Sequence, residues 1–227
     1  MKVTVASYNV HGFVGSDGVR DVGRAASVML ALNADVIALQ EVAFPDATDD
    51  ISELLAAMPG YEAFTAPISR RDGVRHGNVV LTRLPILTAR RICLDFEERE
   101  PRTAVDLRLG TPGQPLRVVA THLGLRPGER RFQVKLILNQ VAYDERSVTV
   151  LLGDFNEWFL AGRPLRWLHR RFGPSRYVRT WPAWLPVFAL DRVWVHPPRA
   201  LARYGAYRSR AARVASDHLP IVAELEV

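Results

Sequence analysis

Short apolar segments recur along the chain, and the spacing of their apolar residues distinguishes strands from helices. Alternating or continuous apolar runs predict β-strands over Lys2–Val10, Asp35–Val42, Tyr61–Ala66, Gly77–Arg83, Ile86–Leu94, Thr103–Leu109, Leu116–Leu123, Val148–Leu152, Ala189–His196 and Pro220–Glu226. Helical spacing and helix-start residues predict helices over Val19–Leu32, Thr48–Met58, Pro127–Val141 and Pro164–Phe172. The strands between residues 61 and 109 are too close in sequence for helical crossovers between all of them, so the sheets must contain antiparallel hairpins.

The stretch VTVLLGDFNEW, from Val148 to Trp158, combines a buried strand with polar groups at its end. Gly153 permits a tight backbone turn, and Asp154 and Asn156 follow it directly. A rigid strand that delivers an acid and an amide is suited to holding a base and a hydrogen-bond donor in place. The alternative is structural, since Asp often caps turns and Asn tolerates left-handed backbone conformations.

Several other predicted strands also end in polar residues. The full set is Asn9, His11, Glu41, His122, Asp154, Asn156, Asp191, Asp217 and His218. If Glu41, Asp154, Asp191 and Asp217 come together in the fold, their ionised carboxylates repel one another unless a cation or protons compensate. Oxygen ligands of this kind favour a hard ion, Mg²⁺ or Mn²⁺, over zinc.

Composition narrows the class of protein. The chain has 227 residues, 48% of them hydrophobic and 24% charged, which predicts one globular domain over residues 1–227. The lone Cys93 excludes a disulfide framework and a cysteine-based zinc site, and we expect it to be a small buried hydrophobe. Because no signal peptide or membrane-spanning run is recognisable, we expect a soluble, cytoplasmic protein. We also expect a monomer.

Positive charge is carried almost entirely by arginine. Lys2 and Lys135 are the only lysines, so 28 of the 30 basic residues are arginines, and the net charge is +6. Arginine suits a phosphate-bearing partner because its planar fork of donors matches phosphate oxygens. Clusters such as Arg90-Arg91 and Arg130-Arg131 would equally suit solvated faces, and a coding bias toward arginine would give the same composition.

A set of short motifs adds a family resemblance that spans essentially the whole chain. In order, the motifs are SYNVHG, DVIALQEV, GNVVLTRLPI, THLG, GDFNEW, ALDRVWV and SDHLP. Together they resemble the endonuclease/exonuclease/phosphatase superfamily, which includes pancreatic deoxyribonuclease, abasic-site endonucleases, neutral sphingomyelinases and inositol polyphosphate 5-phosphatases. The resemblance implies a deoxyribonuclease I-like, four-layer α/β/β/α sandwich, in which two mixed β-sheets pack face to face with helices outside.

The resemblance also implies a metal-side group of residues. Glu41 matches the family's Mg²⁺-binding glutamate, and Asn9 matches the asparagine beside it. Asp217 matches a second carboxylate on the metal side. Asp154 matches the acid that orients or deprotonates the attacking water.

A second group is implied to contact the phosphate. His218 matches the histidine at the scissile phosphate, with Asp191 orienting it. Asn156 would hold a phosphoryl oxygen, and His122 matches a second phosphate-contacting histidine.

Two further residues are expected to contact substrate. Arg102 begins a predicted strand near the site, although a surface arginine is an alternative. His11 replaces the acid of abasic-site endonucleases, which implies a different metal shell. Glu100 is a candidate carboxylate partner for His122.

The activity implied is a Mg²⁺-dependent phosphoesterase, and specifically a phosphodiesterase or endonuclease that uses direct water attack. Nucleic acid is the leading substrate class because of the arginine excess. The alternatives are a phospholipid headgroup, as in sphingomyelinases, or a small phosphate ester. A third hypothesis is that the chain is an inactive binding module.

The segment before Asp191 is rich in proline and aromatic residues. Trp181, Trp184, Leu185 and Phe188 would form a substrate rim, rest on a lipid surface, or close the core, and we expect the last of these.

Overall fold

The computed structural model describes residues 1–44, 51–71, 74–111, 114–141 and 147–227. The strands within these ranges are β1 (Lys2–Asn9), β2 (Val36–Phe44), β3 (Glu62–Arg71), β4 (Val74–Thr82), β5 (Ile86–Cys93), β6 (Thr103–Thr111), β7 (Gln114–His122), β8 (Val148–Asp154), β9 (Asp191–His196), β10 (Leu201–Ala206) and β11 (Ile221–Glu226). The helices are α1 (Val22–Leu32), α2 (Ser52–Ala57), α3 (Pro127–Gln140), α4 (Arg163–Phe172) and α5 (Arg210–Ala215), with short 3-10 helices at His11–Phe13 and Pro198–Ala200.

The strands form two mixed sheets. The first has the order β10-β11-β1-β2-β4-β3, and the second has the order β5-β6-β7-β8-β9. One adjacent pair in each sheet is parallel, β1 with β2 and β7 with β8, and the other pairs are antiparallel. The predicted hairpins are therefore confirmed.

Three apolar layers hold the four layers of backbone together. The inner faces of the sheets meet through residues such as Val5, Val36 and Val118. On the outside, α1, α2 and α5 pack on the first sheet, and α3 and α4 pack on the second. This arrangement confirms the α/β/β/α sandwich. Among the described residues, no helix combines the length and apolar character needed to cross a membrane.

Several local predictions differ from the structure. Helix α1 begins at Val22 rather than Val19, because Asp21 caps it by accepting a hydrogen bond from the Arg24 backbone. The predicted helix Thr48–Met58 is found as α2, and its residues 48–50 lie outside the described residues. Strand β10 and helix α5 were not predicted.

The expected burial of Cys93 was wrong. Cys93 is exposed at the end of the edge strand β5, whereas its neighbour Ile92 is buried. Successive strand residues point to opposite faces, so burial of Ile92 turns Cys93 outward.

A buried ion pair lies on the outer face of the second sheet. Val105 and Leu107 point into the layer between the sheets, so Asp106 points away from it. Arg117 Nε and Nη2 donate to the two oxygens of Asp106 at 2.8 and 2.7 Å, and Arg90 Nε adds a third bond at 2.7 Å. Burial opposes ionisation of this carboxyl, but the hydrogen bonds and charges of the two arginines outweigh it and hold the pKa of Asp106 below its usual value.

Substitution of Asp106 by Asn should lower the free energy of unfolding by about 3 kcal/mol at neutral pH, because Arg117 then loses its buried counter-ion. In the parent, this stabilisation is present above the unfolded-state pKa of Asp and is lost as pH falls through the lower folded-state pKa. Urea unfolding at several pH values measures both effects. Asp17→Asn breaks an exposed pair with Arg24, which solvent screens, and should change stability much less than Asp106→Asn does. Equal effects of the two substitutions would contradict this account.

Candidate functional site

The polar ends of the central strands meet in one pocket of about 230 Å³. Eight of the residues predicted for the site line it: His11, Glu41, Arg102, His122, Asp154, Asn156, Asp217 and His218. The other two, Asn9 and Asp191, are buried directly behind this lining. The structure thus brings all ten predicted residues together.

Asp154 lies at the centre of the cluster and is 1% exposed. Its Oδ2 accepts a hydrogen bond from Asn9 Nδ2 at 3.1 Å and lies 3.7 Å from Nε2 of both His122 and His218. Its Oδ1 accepts the backbone N–H of Asn156 at 2.9 Å. One carboxylate from the second sheet therefore contacts an amide and two imidazoles that come from both sheets.

The environment of Asp154 favours its protonated form relative to an ordinary aspartic acid. Burial is the main cause of the raised pKa of Asp154, and the nearby charge of Asp191 adds to it. The charge of His218 opposes the shift. A carboxyl with a raised pKa accepts a proton more readily than an exposed one does, which is the property of a general base.

Glu41 reaches the pocket because of a β-bulge. The pairing of β2 with β4 runs from Leu39 opposite Val79 to Val42 opposite Gly77, so two residues of β2 face one residue of β4. Glu41 takes a left-handed conformation there, with φ of 55°. Bulges of this kind re-aim side chains next to functional sites.

Asn9 links the two central carboxylates. Its Nδ2 donates to Glu41 Oε1 at 3.0 Å and to Asp154 Oδ2 at 3.1 Å. Its Oδ1 accepts the backbone N–H of His11 at 3.0 Å. In this orientation Asn9 positions the two carboxylates, and the prediction that it also ligates a metal stays a prediction.

The donor set fits a hard divalent cation on the Glu41 side of the pocket. Glu41 is partly exposed and lines the pocket. Its Oε1 and Asp154 Oδ2 share the Asn9 amide as a donor and lie 3.8 and 3.7 Å from His122 Nε2. Atoms of Asp154, Asp191 and His218 also lie within 4.8 Å of one another. However, Asp191 Oδ2 accepts hydrogen bonds from His218 Nδ1 and Thr180 Oγ1, so that trio is better described as a hydrogen-bonded acid–imidazole pair.

Asp217 lies on the wall of the same pocket. Its Oδ2 accepts a hydrogen bond from Trp181 Nε1 at 3.1 Å, and its Oδ1 lies 3.9 Å from His11 Nδ1. Its side chain is partly exposed. The assignment of Asp217 as a metal ligand and of His11 as a substrate contact remain predictions.

His122 has a basic partner in addition to the nearby carboxylates. Arg102 Nη1 donates to His122 Nδ1 at 2.9 Å, and Arg102 Nη2 donates to Glu100 Oε2 at 2.8 Å. Glu100, the candidate partner of His122, thus acts on it through Arg102. Arg102 is only 7% exposed, so it is not a surface arginine. Since arginine only donates, His122 Nδ1 accepts from Arg102, while His122 Nε2 lies 3.0 Å from Asn156 Nδ2 and 3.8 and 3.7 Å from Glu41 Oε1 and Asp154 Oδ2.

His218 is held in its charged form by Asp191. Its Nδ1 donates to Asp191 Oδ2 at 2.8 Å, and Thr180 Oγ1 donates to the same oxygen at 2.6 Å. Burial lowers the pKa of His218, but the charges of Asp191 and Asp154 outweigh burial and raise it above the usual value for histidine.

A buried ion pair connects the loop that follows His122 with the loop that contains Asn156. Arg130 of α3 is 1% exposed, and its Nε lies 3.3 Å from Oε2 of Glu157, which is 4% exposed. Arg130 Nη1 also donates to the Leu125 carbonyl at 2.6 Å. Arg130 therefore joins the loop after β7 to the loop after β8. The sequence offered Arg130-Arg131 as a phosphate-binding or solvated cluster, and for Arg130 both interpretations were wrong.

Comparison with known proteins supports the family resemblance of the sequence motifs. A family model described as the Endonuclease/Exonuclease/phosphatase family matches residues 6–218. This chain belongs to the endonuclease/exonuclease/phosphatase family. The matched range contains all ten predicted site residues, from Asn9 to His218.

Relatives in this family cover nearly the whole chain. The uncharacterized protein YbhP of Escherichia coli is 29% identical over 245 residues, which cover 98% of this chain and 96% of YbhP. An endonuclease/exonuclease/phosphatase from Beutenbergia cavernae superposes with a TM-score of 0.78 at 25% identity, covering 100% of this chain and 72% of that one. TDP2 from D. rerio, solved with a single-strand DNA product, shares the fold with a TM-score of 0.74 at 19% identity, covering 100% and 99%.

Some pocket residues were missed by the sequence analysis. Four of the six histidines of the chain line the pocket: His11, His76, His122 and His218. His76 directly precedes the GNVVLTRLPI motif, which was the available signal. Leu125 and Trp158 also line the pocket. Leu125 directly follows the THLG motif and Trp158 ends the GDFNEW motif, but an apolar residue in a loop gives no chemical signal.

Gly153 is required for the close approach of β7 and β8 at the site. It has a φ of 145°, and a Cβ built on it would overlap the carbonyl oxygen of Thr121 on β7. Gly153→Ala should lower the free energy of unfolding by roughly 3 kcal/mol, measured by urea denaturation. Gly205→Ala is the matched control, because Gly205 has open space at its Cβ position, and it should change stability by less than about 0.5 kcal/mol. If Gly153→Ala changed the free energy of unfolding as little as Gly205→Ala, the close approach of β7 and β8 would be contradicted.

The charge state of His218 can be tested directly in metal-free protein. An NMR titration of the imidazole should show His218 still protonated at pH 8, since its folded-state pKa is raised. The pair then stabilises the fold below the unfolded-state pKa of histidine, and this stabilisation is lost as pH rises through the folded-state value. Asp191→Asn removes the counter-charge, so burial should dominate and His218 should titrate below ordinary histidine. An unchanged titration in Asp191→Asn would refute the pairing.

Proposed function

We propose that this chain is a divalent-metal-dependent phosphodiesterase that hydrolyses its substrate by direct attack of water. The observation that carries the proposal is the placement of Asp154 between Asn9, His122 and His218, with Glu41 held beside it by the same Asn9 amide. Carboxylate and imidazole groups arranged around one small pocket suit the binding of a cation and of one phosphorus centre.

Glu41, with Asp217 and Asn9 as further predicted ligands, would hold Mg²⁺ or Mn²⁺. Such an ion, when bound, neutralises negative charge on a phosphate in the transition state. Asp154 has the raised pKa and the position of a base, so in this proposal it takes a proton from the attacking water.

The remaining groups stabilise charge on the phosphoryl oxygens. His218, kept protonated by Asp191, donates from Nε2, and His122, oriented by Arg102, lies beside the same oxygens with its Nε2 edge. Asn156, two residues after the end of β8, supplies a side-chain amide that is held by the Leu123 carbonyl. All of these donors are held by buried partners, which limits the reorganisation needed during the reaction.

Two substrate classes follow from different observations. Nucleic acid is the class predicted from the arginine excess, and the neighbour TDP2 was solved with a DNA product. A phospholipid headgroup is favoured by exposed apolar side chains next to the pocket, since Trp158 and Leu125 line it and are themselves exposed.

Hydrolysis of bis(p-nitrophenyl) phosphate tests the chemistry without assuming either substrate class. Activity should require Mg²⁺ or Mn²⁺, be abolished by EDTA and return with added metal. Asp154→Asn and Glu41→Gln should each reduce kcat/KM by about 100-fold or more. Glu226→Gln makes the same type of change on an exposed residue at the far end of β11, and should leave activity intact.

The alternative of an inactive binding module makes the opposite prediction. Parent and Asp154→Asn would then be equally inactive on all phosphoesters tested. Activity that persists in EDTA would refute metal dependence, and full activity of Asp154→Asn would refute the assigned base.

A further inference from the structure

The pocket is bordered by an unusual concentration of exposed apolar side chains. We define the apolar rim as the exposed apolar residues of three neighbouring loops: Leu125 after β7, Trp158, Phe159 and Leu160 after β8, and Trp184, Leu185, Val187 and Phe188 before β9. The most exposed are Phe159 at 69%, Trp184 at 67%, and Leu125 and Leu160 at 60% each. The expectation that the segment around Trp184 closes the core was therefore wrong for these side chains. Contiguous exposed apolar surface of this kind marks an interaction site.

The three loops form one continuous surface. The Trp158 ring packs edge-on against Phe188 at 5.0 Å and against Trp181 at 5.2 Å between ring centroids. Trp158 and Leu125 also line the pocket itself. The apolar rim is thus continuous with the mouth of the site.

The backbone beneath the apolar rim is held in place. Val187 N donates to the Trp181 carbonyl at 2.9 Å, and Arg213 Nη1 donates to the Trp184 carbonyl at 2.8 Å. Phe159 N donates to Glu157 Oε1 at 3.1 Å, which connects that loop to the buried Arg130 ion pair. The side chains therefore project outward from hydrogen-bonded turns.

The chain segment that carries most of the apolar rim has charged side chains of a single sign. Residues 158–190 contain six arginines and no aspartate or glutamate. Arg163, Arg176 and Arg179 in this range are exposed, and Arg126 is exposed next to Leu125. The surface is therefore complementary to a partner that is apolar and negatively charged at the same time. A second copy of this chain does not fit, because it would bring the same arginines face to face.

We propose that the apolar rim docks on the surface of an anionic phospholipid bilayer, which would bring the pocket to the level of the headgroup phosphodiesters. This inference adds a binding surface to the proposed function. It rests on the proposed function, because only that proposal makes the headgroup phosphodiesters substrates. Tryptophan, phenylalanine and leucine enter the bilayer interface, and arginine binds anionic headgroups around them. Single-stranded nucleic acid fits less well: it stacks on aromatic rings, whereas Leu125, Leu160, Leu185 and Val187 offer it neither stacking nor hydrogen bonds.

Vesicle co-sedimentation tests the docking step without relying on catalysis. The parent should bind phosphatidylcholine vesicles that contain phosphatidylglycerol more tightly than pure phosphatidylcholine vesicles, and salt should weaken the binding. The variant Phe159→Ser/Trp184→Ser should bind the anionic vesicles about tenfold more weakly or worse. The control Val19→Ser/Leu87→Ser removes two exposed apolar side chains elsewhere and should bind as the parent does. Urea unfolding midpoints establish that both variants are folded.

Asp154→Asn separates this inference from the proposed function, because it should bind vesicles like the parent even though its chemistry is impaired. If the parent hydrolyses bis(p-nitrophenyl) phosphate but does not bind vesicles, docking is refuted and the proposed function stands. Docking is also refuted if the two double variants bind vesicles equally. A third refuting result is that Phe159→Ser/Trp184→Ser loses affinity for a single-stranded DNA oligonucleotide and not for vesicles, which would make the rim a nucleic-acid surface.

Discussion

The hydrogen bonds of Asn9 connect the two sheets at the point where the site forms. Its amide donates to Glu41, on the first sheet, and to Asp154, on the second. Placing two carboxylates together out of water is unfavourable, and each needs compensation by hydrogen bonds or opposite charge. The surrounding apolar layers fix the spacing of the sheets and so keep the two carboxylates close. The packing of the two sheets therefore holds together two carboxylates that would otherwise repel each other.

Backbone strain is concentrated at the same place. Among the described residues, six other than glycine have positive φ, and three of these are His11, Glu41 and Asn156 of the site. Such conformations cost about 1–3 kcal/mol each and persist where neighbouring contacts enforce them. Here the backbone N–H groups of His11 and Asn156 bond to the side chains of Asn9 and Asp154. These hydrogen bonds within the site thus offset part of the backbone strain that orients His11 and Asn156.

The apolar runs predicted the strands and the hairpins, and their polar ends indicated a cluster of site residues. The sandwich itself was implied by the resemblance of the motifs to a known family. The sequence could not predict the bulge at Glu41, since the continuous apolar run of β2 gives no sign of an extra residue. Strand β10 was missed because its edge position leaves most of its residues partly or fully exposed, which removes the apolar pattern. The Arg130–Glu157 pair joins residues 27 positions apart, and neither residue differs locally from a solvated one.

The positions of the arginines in the fold differ from the phosphate-binding role that the arginine excess suggested. Among the described residues that line the pocket, Arg102 is the only arginine, and it is engaged with His122 and Glu100. Arg90, Arg117 and Arg130 are bound in ion pairs within the fold. Four exposed arginines, Arg126, Arg163, Arg176 and Arg179, lie in or beside the chain segments of the apolar rim and are absent from the pocket lining. Long-range attraction at this surface would act on any polyanion, but only an interface that also accepts apolar side chains would gain from their burial, which is the physical reason to favour a bilayer over a nucleic acid there.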